Sequence, residues 1–227
     1  MVDSTFSLIA HDPGSGAIGL AVSTASPAVG KRVPHVRDRV GLVATQGKTN
    51  IFYGTMGLKL LEIGFAPQEA LNVLLQQDDN REYRQVLIST LSGEWAVHTG
   101  KRTETWHGHL ITGRYVAMGN TLPGKQVLEA MAEEFEATSG DLALRLIAGL
   151  RKGQEAGGDR EGKSSAALLV VSPHQFQPWG SLVDLRVDFD PDPVYKLDEV
   201  LKSYLAWEQQ RLQEIDTSIY GFHARDP

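Results

Sequence analysis

Apolar and polar positions alternate along this chain in blocks, and the blocks predict its elements. Thr5–Ala10 is apolar and partly β-branched, and Asp12-Pro13-Gly14-Ser15-Gly16 follows it. That pattern predicts a strand, a tight turn and a second strand from Ile18 to Ser23. Val40–Thr45 is nearly all apolar and predicts a third strand, buried on both faces. Helical spacing then takes over: Leu58, Leu61 and Ile63 mark one helix, and Ala70, Leu71, Leu74 and Leu75 another. Gly64 separates the two, and the second starts near Pro67. Val86–Ile88 and Trp95–Val97 flank Ser92-Gly93 and predict a hairpin. His109–Thr112 and Tyr115–Met118 predict another around Gly113-Arg114. Val127, Leu128, Met131 and Phe135 share one face of a helix that Gly140 ends, and Leu142, Leu144, Leu146, Ile147 and Leu150 mark the next. Two late strands are expected at Ala166–Val171 and Leu182–Val187. A charged helix from 192 to about 214 closes the pattern, with Val194, Leu197, Val200, Leu201 and Leu205 on its apolar face.

Helices inserted in pairs between runs of hairpin-linked strands suit two sheets packed face to face with helices outside, an α+β arrangement. A doubly wound sheet would alternate single helices with strands, which this order does not do. No Pro- or Ser-rich linker divides the chain, so residues 1–227 are expected to form one domain. Hydrophobic residues make up 41% of the chain, enough to build a core without staples. The absence of cysteine excludes disulfides, thiolate nucleophiles and Cys-based zinc sites. A net charge of -6 predicts no broad attraction to nucleic acid. The basic stretch Lys31, Arg32, Arg37 and Arg39 is interrupted by Asp38 and reads as a solvated loop or a strand edge. Met1–Thr5 carries no signal-peptide pattern, and no apolar run approaches the roughly 20 residues of a membrane span. A cytoplasmic protein with no membrane partner is the expectation.

Among motifs, Gly157–Ser164 satisfies the phosphate-loop pattern G-x-x-x-x-G-K-[ST]. That loop works between a strand and a following helix, whereas here a helix precedes it and an apolar strand follows. Asp159 and Glu161 would also repel phosphate, so nucleotide binding is not expected. His107-Gly108-His109 places two imidazoles on one side of a strand, half of a tetrahedral zinc site. A pair of half-exposed histidines beside Trp106 on a hairpin, without a metal, is the favoured reading, and neither metal nor cofactor is assigned. No G-x-S-x-G elbow supports a Ser-His-Asp hydrolase. Hydroxyls and amides collect instead at strand ends: Ser23 and Thr24, Thr45 and Gln46, Ser164 and Ser165. Converging strand ends of this kind line a pocket.

Several ordered blocks are familiar. Thr5–Pro13, Gly19–Ser23, Ala28-Val29-Gly30, Ala44-Thr45-Gln46, His98-Thr99-Gly100, Gly119-Asn120, Ala156–Asp159, Ser165–Val171 and Asp184–Asp188 together resemble domain-of-unknown-function family 1028. The likeness runs from Thr5 to about Leu201. Members of that family are placed among N-terminal-nucleophile (Ntn) hydrolase-like folds, which implies a four-layer αββα sandwich. More distantly, the chain is similar to a proteasome β-type subunit. That resemblance implies Thr5 as nucleophile, with its own α-amine as base, a group that titrates near 7.7–8.0. It implies a supporting polar role for Ser23 and oxyanion donation from Gly119 and Asn120. It also implies that Asp159, with Ser164 or Ser165, orients the amine. Thr45, Gln46, Gly119 and Ser165 are the expected substrate-binding positions. Ser23 and Gln46 stand where the proteasome threonine has its supporting acid and lysine, and removal of residues 1–4 is required to free the Thr5 amine.

The implied activity is hydrolysis of an amide bond in a small-molecule or peptide-like substrate. Relatives that carry an additional cell-wall-binding domain point toward peptidoglycan-like material. The alternatives are a binding or accessory protein on the same fold and, third, a His-dependent metal enzyme using His107 and His109. A homodimer is expected from the commonness of such assemblies.

Overall fold

The computed structural model describes residues 4–103, 105–172 and 182–214, with side chains as far as Arg211. Met1–Asp3 lie outside it. Its elements follow in the order β1 (Thr5–Asp12), β2 (Ala17–Thr24), β3 (Pro34–Arg37), β4 (Gly41–Gly47), α1 (Phe52–Glu62) and α2 (Pro67–Gln76). Then come β5 (Arg84–Thr90), β6 (Trp95–Thr99), β7 (Trp106–Ile111), β8 (Tyr115–Leu122), α3 (Gln126–Ala137) and α4 (Leu142–Glu155). β9 (Ser165–Val171), β10 (Val183–Val187) and α5 (Pro193–Glu214) complete it. The fold is α+β, with two antiparallel sheets and, among the described residues, five α-helices. One sheet has the order β10-β9-β2-β1-β8-β7 and the other β3-β4-β5-β6.

The two-residue period of a strand sends alternate side chains to opposite faces. Along β1, Phe6, Leu8 and Ala10 join Leu128, Met131 and Phe135 of α3 and Leu146 and Leu150 of α4 in one buried cluster. Ile9 points the other way, into a second cluster with Leu20 and Val22 of β2, Leu42 and Ala44 of β4, Leu87 of β5 and Met118 of β8. That cluster lies between the two sheets. A third joins Val43, Val86 and Ile88 on the far face of the smaller sheet to Tyr53, Leu58, Leu71 and Leu74 of α1 and α2. Central strands therefore bury both faces, as expected for β4. Close approach of α4 to the larger sheet needs a missing side chain: a Cβ on Gly149 would stand 2.6 Å from Leu8 Cδ2 and 2.9 Å from the Met131 carbonyl oxygen.

The basic stretch after residue 30 supplies β3, the edge of the smaller sheet, where Arg37 pairs with Glu62 of α1. All four of its residues are half-buried, which is why its apolar pattern is weak. No helix among the described residues is long and apolar enough to cross a membrane.

Candidate active site

The start of β1 is flanked on both sides at one end of the larger sheet. Thr5 pairs with Thr24 of β2 and with Asn120 of β8, Thr24 pairs in turn with Ser165 of β9, and Asn120 with His107 of β7. Directly paired residues point to the same face. Ile9, Val22, Met118 and Ala167, an even number of residues further along these strands, lie in the inter-sheet cluster. Thr5, Thr24, Asn120 and Ser165 therefore project between the sheets, where apolar side chains give way to polar ones.

Ser4 is the centre of this polar end. It is fully buried, and its carbonyl oxygen accepts hydrogen bonds from Thr5 Oγ1 at 2.6 Å and from Thr24 Oγ1. The two threonine hydroxyls lie 3.4 Å apart. The Ser4 hydroxyl donates to Asp159 Oδ2 and lies 3.4 Å from Glu161 Oε2. Asp159 is buried and accepts two further bonds, from Ala25 N at 2.9 Å and Glu161 N at 2.8 Å. Burial pushes its carboxyl above the ordinary 3.8, aided by the charge of Glu161 and opposed by these hydrogen bonds. Its loop bends through Gly157 at φ 119° and Gly158 at φ 50°, left-handed conformations suited to glycine. Arg160 N donates to Thr121 O at 3.1 Å, so the loop joins the ends of β8 and β2 across Ser4. Thr121 itself holds φ 57°, which a β-branched residue rarely adopts.

Across the interlayer, Ser7 donates to Gln46 Oε1 at 2.6 Å, and Gln46 Nε2 donates to Gln85 Oε1 at 2.7 Å. Asn120 Nδ2 reaches the same oxygen at 3.2 Å. Ser165 donates to Ser26 O at 2.6 Å and accepts from Val29 N at 3.0 Å, fixing the loop after β2.

Thr5, Asn120, Asp159, Gln46 and Ser165 are thus gathered at one end of the interlayer, and Gly119 lies beside the Thr5 backbone, its carbonyl accepting from Gln85 Nε2 at 3.1 Å. Three other candidates stand apart. Ser23 shares the helix-facing side of β2 with Ala21 and donates to Ser165 O at 3.2 Å. Thr45 shares the α1-facing side of β4 with Val43 and donates to Asn50 O at 3.2 Å. Ser164 takes part through its backbone, donating to Thr24 O at 2.9 Å and accepting from Asp190 N at 2.9 Å. Ser4 and Gln85 were not singled out from sequence, and Thr24 only as a strand-end hydroxyl beside Ser23. Strand alternation from Thr5 distinguishes Thr24 from Ser23 once the β1–β2 register is known.

The His107 ring donates from Nδ1 to Thr105 O at 2.9 Å, and His109 Nδ1 lies 2.9 Å from Thr99 Oγ1. Among the described residues, no group of three or more His, Asp or Glu side chains is placed to hold a metal. Gly157–Ser164 follows α4 and precedes β9, the reverse of a phosphate loop.

The crystal structure of protein SPO2555 from Silicibacter pomeroyi, assigned to the family model DUF1028, is similar to this chain, with a TM-score of 0.80 at 36% identity. The match covers 88% of this chain and 85% of that one. No curated protein matches the chain. Matched over residues 5–197 by the model of a family of unknown function, DUF1028, the chain belongs to that family.

Proposed function

We propose that this protein is an amide hydrolase of the Ntn type, built on the four-layer αββα sandwich, with Thr5 as nucleophile once the Ser4–Thr5 bond is cut. The observation that carries this reading is the convergence of the Thr5 and Thr24 hydroxyls on the Ser4 carbonyl oxygen. The Thr24 hydroxyl donates to that oxygen and stabilises charge developing on it, while the Thr5 hydroxyl is held beside the carbonyl that it attacks. In the first step Thr5 Oγ adds to the Ser4 carbonyl carbon. The C–N bond to Thr5 then breaks as the nitrogen takes the hydroxyl proton, leaving Ser4 esterified to Thr5 Oγ and a free amine on Thr5. Water hydrolyses the ester and releases residues 1–4 ending in the Ser4 carboxylate.

The new α-amine titrates near 7.7–8.0, so at neutral pH a usable fraction is unprotonated and takes the Thr5 hydroxyl proton during attack on a substrate amide. An acyl ester forms on Thr5 Oγ, the substrate amine leaves, and water completes hydrolysis. Departure of Ser4 also opens the space beside Asp159, whose buried carboxyl then faces the amine end of β1.

A second reading has its own observation. In the intact chain Ser4 is 0% and Thr5 3% exposed, so the Thr5 hydroxyl is closed to substrate. Among the described residues no Lys, His, Asp or Glu side chain bonds to it either. A chain that keeps Ser4 is therefore a binding or accessory protein. Intact mass of the untagged protein separates the two. A mass lacking residues 1–4, with Thr5→Ala retaining them, supports the hydrolase. Full-length mass in both supports the accessory role.

A further inference from the structure

Among the described residues, five hydrogen bonds converge on the carboxamide of Gln85, at the start of β5. Its Nε2 lies 2.9 Å from Gly108 O, 3.1 Å from Gly119 O and 3.0 Å from Thr99 Oγ1. Backbone carbonyls only accept, so the nitrogen of this amide must stand on their side. Its oxygen then faces the other way, and the groups against it must donate: Gln46 Nε2 at 2.7 Å and Asn120 Nδ2 at 3.2 Å.

The polarity propagates from there. Gln46, with its nitrogen turned to Gln85, presents Oε1 to Ser7, whose hydroxyl is therefore the donor of their 2.6 Å bond. Asn120 keeps Nδ2 toward Gln85, and its Oδ1 lies 3.5 Å from Thr121 Oγ1. Ser7, Gln46 and Gln85 are 0% exposed and Asn120 1%, so no bulk water competes for these groups. Turning any one amide over would set oxygen against oxygen in a low-dielectric interior. One side chain thus decides the orientation of every amide at this end of the interlayer, two backbone carbonyls decide that side chain, and Asn120 is the member paired directly with Thr5.

We propose that Gln85 is a positioning residue of the Thr5 site: it holds the Asn120 carboxamide in one orientation, with its second N–H left to meet charge on a carbonyl bound at Thr5. The catalytic part of this inference rests on Thr5 being the nucleophile; the orienting part does not. Gln85→Met removes every polar contact at similar length. Ser7→Ala removes the far end of the arm through Gln46 while leaving the Gln85–Asn120 bond.

Two readouts apply. The Asn120 side-chain amide, identified in a 15N spectrum by its loss in Asn120→Asp, should give one slowly exchanging NH2 pair in wild type and in Ser7→Ala. In Gln85→Met its exchange should speed up at least about tenfold, since a single hydrogen bond of ~1.4 kcal/mol corresponds to that factor. Cleavage at Ser4–Thr5 should slow about 10- to 100-fold in Gln85→Met, the scale of a misplaced catalytic group, and under about threefold in Ser7→Ala despite its own fall in melting temperature. If Gln85→Met does not fold, Gln85→Glu replaces it. Neutralisation at low pH restores an O–H donor toward the backbone carbonyls, and Asn120 protection should return as pH falls. An Asn120 amide unchanged by loss of Gln85, or cleavage that falls in both variants only as far as stability does, overturns the proposal. Absence of cleavage in wild type overturns the Thr5 reading instead, and the amide spectrum still decides whether Gln85 orients Asn120.

Discussion

The space between the two sheets is filled in two different ways. Over most of it, Ile9, Ile18, Leu20, Val22, Leu42, Leu87, Val116 and Met118 make an apolar layer. At one end the same strands, on the same face, carry Thr5, Ser7, Thr24, Gln46, Gln85 and Asn120, all at most 3% exposed. Burying an aliphatic side chain contributes about 1.5–3 kcal/mol, so the apolar part accounts for cohesion of the sheets. A buried hydrogen bond contributes only about 1 kcal/mol net, and each unmatched group costs about 1–3 kcal/mol. Stability alone therefore does not explain six polar side chains where aliphatic ones would pack. Thr5 and Thr24 hydrogen-bond to the Ser4 carbonyl oxygen, and Ser7, Gln46, Gln85 and Asn120 hold one another in fixed orientations.

The contrast predicts opposite responses to substitution. Leu20→Ala in the apolar part should lower stability to urea by about 2–5 kcal/mol, with cleavage at Ser4–Thr5 unchanged in the protein that remains folded. Thr24→Val should do the reverse. Loss of one donor to the reacting carbonyl should slow cleavage about 100-fold, measured by intact mass over time, while unfolding free energy falls by only about 1 kcal/mol. Equal effects from the two variants on both readouts would erase the distinction.

Asp159 sharpens it through pH. Its folded carboxyl titrates above the ordinary 3.8 because burial penalises the charge. A raised acid contributes stability that is fully present below the unfolded value and is lost as pH rises through the folded one. Melting temperature should therefore decline over that upward interval, and Asp159→Asn should flatten the decline. His35 acts in the opposite sense. Burial lowers its pKa from 6.5, outweighing its bond to Arg32 O, so stability falls as pH drops from 6.5 through its folded value. The smallest effects belong to the side chains facing away from the interlayer. Ser23→Ala and Thr45→Val should change cleavage by less than about threefold, or ~0.7 kcal/mol of barrier.

Much of the architecture was legible because turns and periods agree. The Asp12–Gly16 turn, paired helices around Gly64 and Gly140, and two Gly-centred hairpins lead to two sheets with helices outside. β3 was harder because an edge strand needs little apolar character: Pro34, His35, Val36 and Arg37 are all half-buried. The site was legible only in outline. β1 and β2 are buried on both faces, so alternation along them carries no contrast between inside and outside. Ser23 and Thr24 are indistinguishable without the register that pairs Thr24 with Thr5. Gln85 reads as a polar residue ahead of Val86. Its role comes from Gly108, Gly119 and Asn120, at least 23 positions away and brought together by sheet pairing.

The central claim is that the Thr5 hydroxyl attacks the Ser4 carbonyl. It is tested most directly by incubating full-length protein with neutral hydroxylamine, which intercepts an ester but not an amide. The account predicts residues 1–4 released as the Ser4 hydroxamate from wild type, and no release from Thr5→Ala. An intact chain in both, or release of residues 1–4 that Thr5→Ala does not stop, would contradict it.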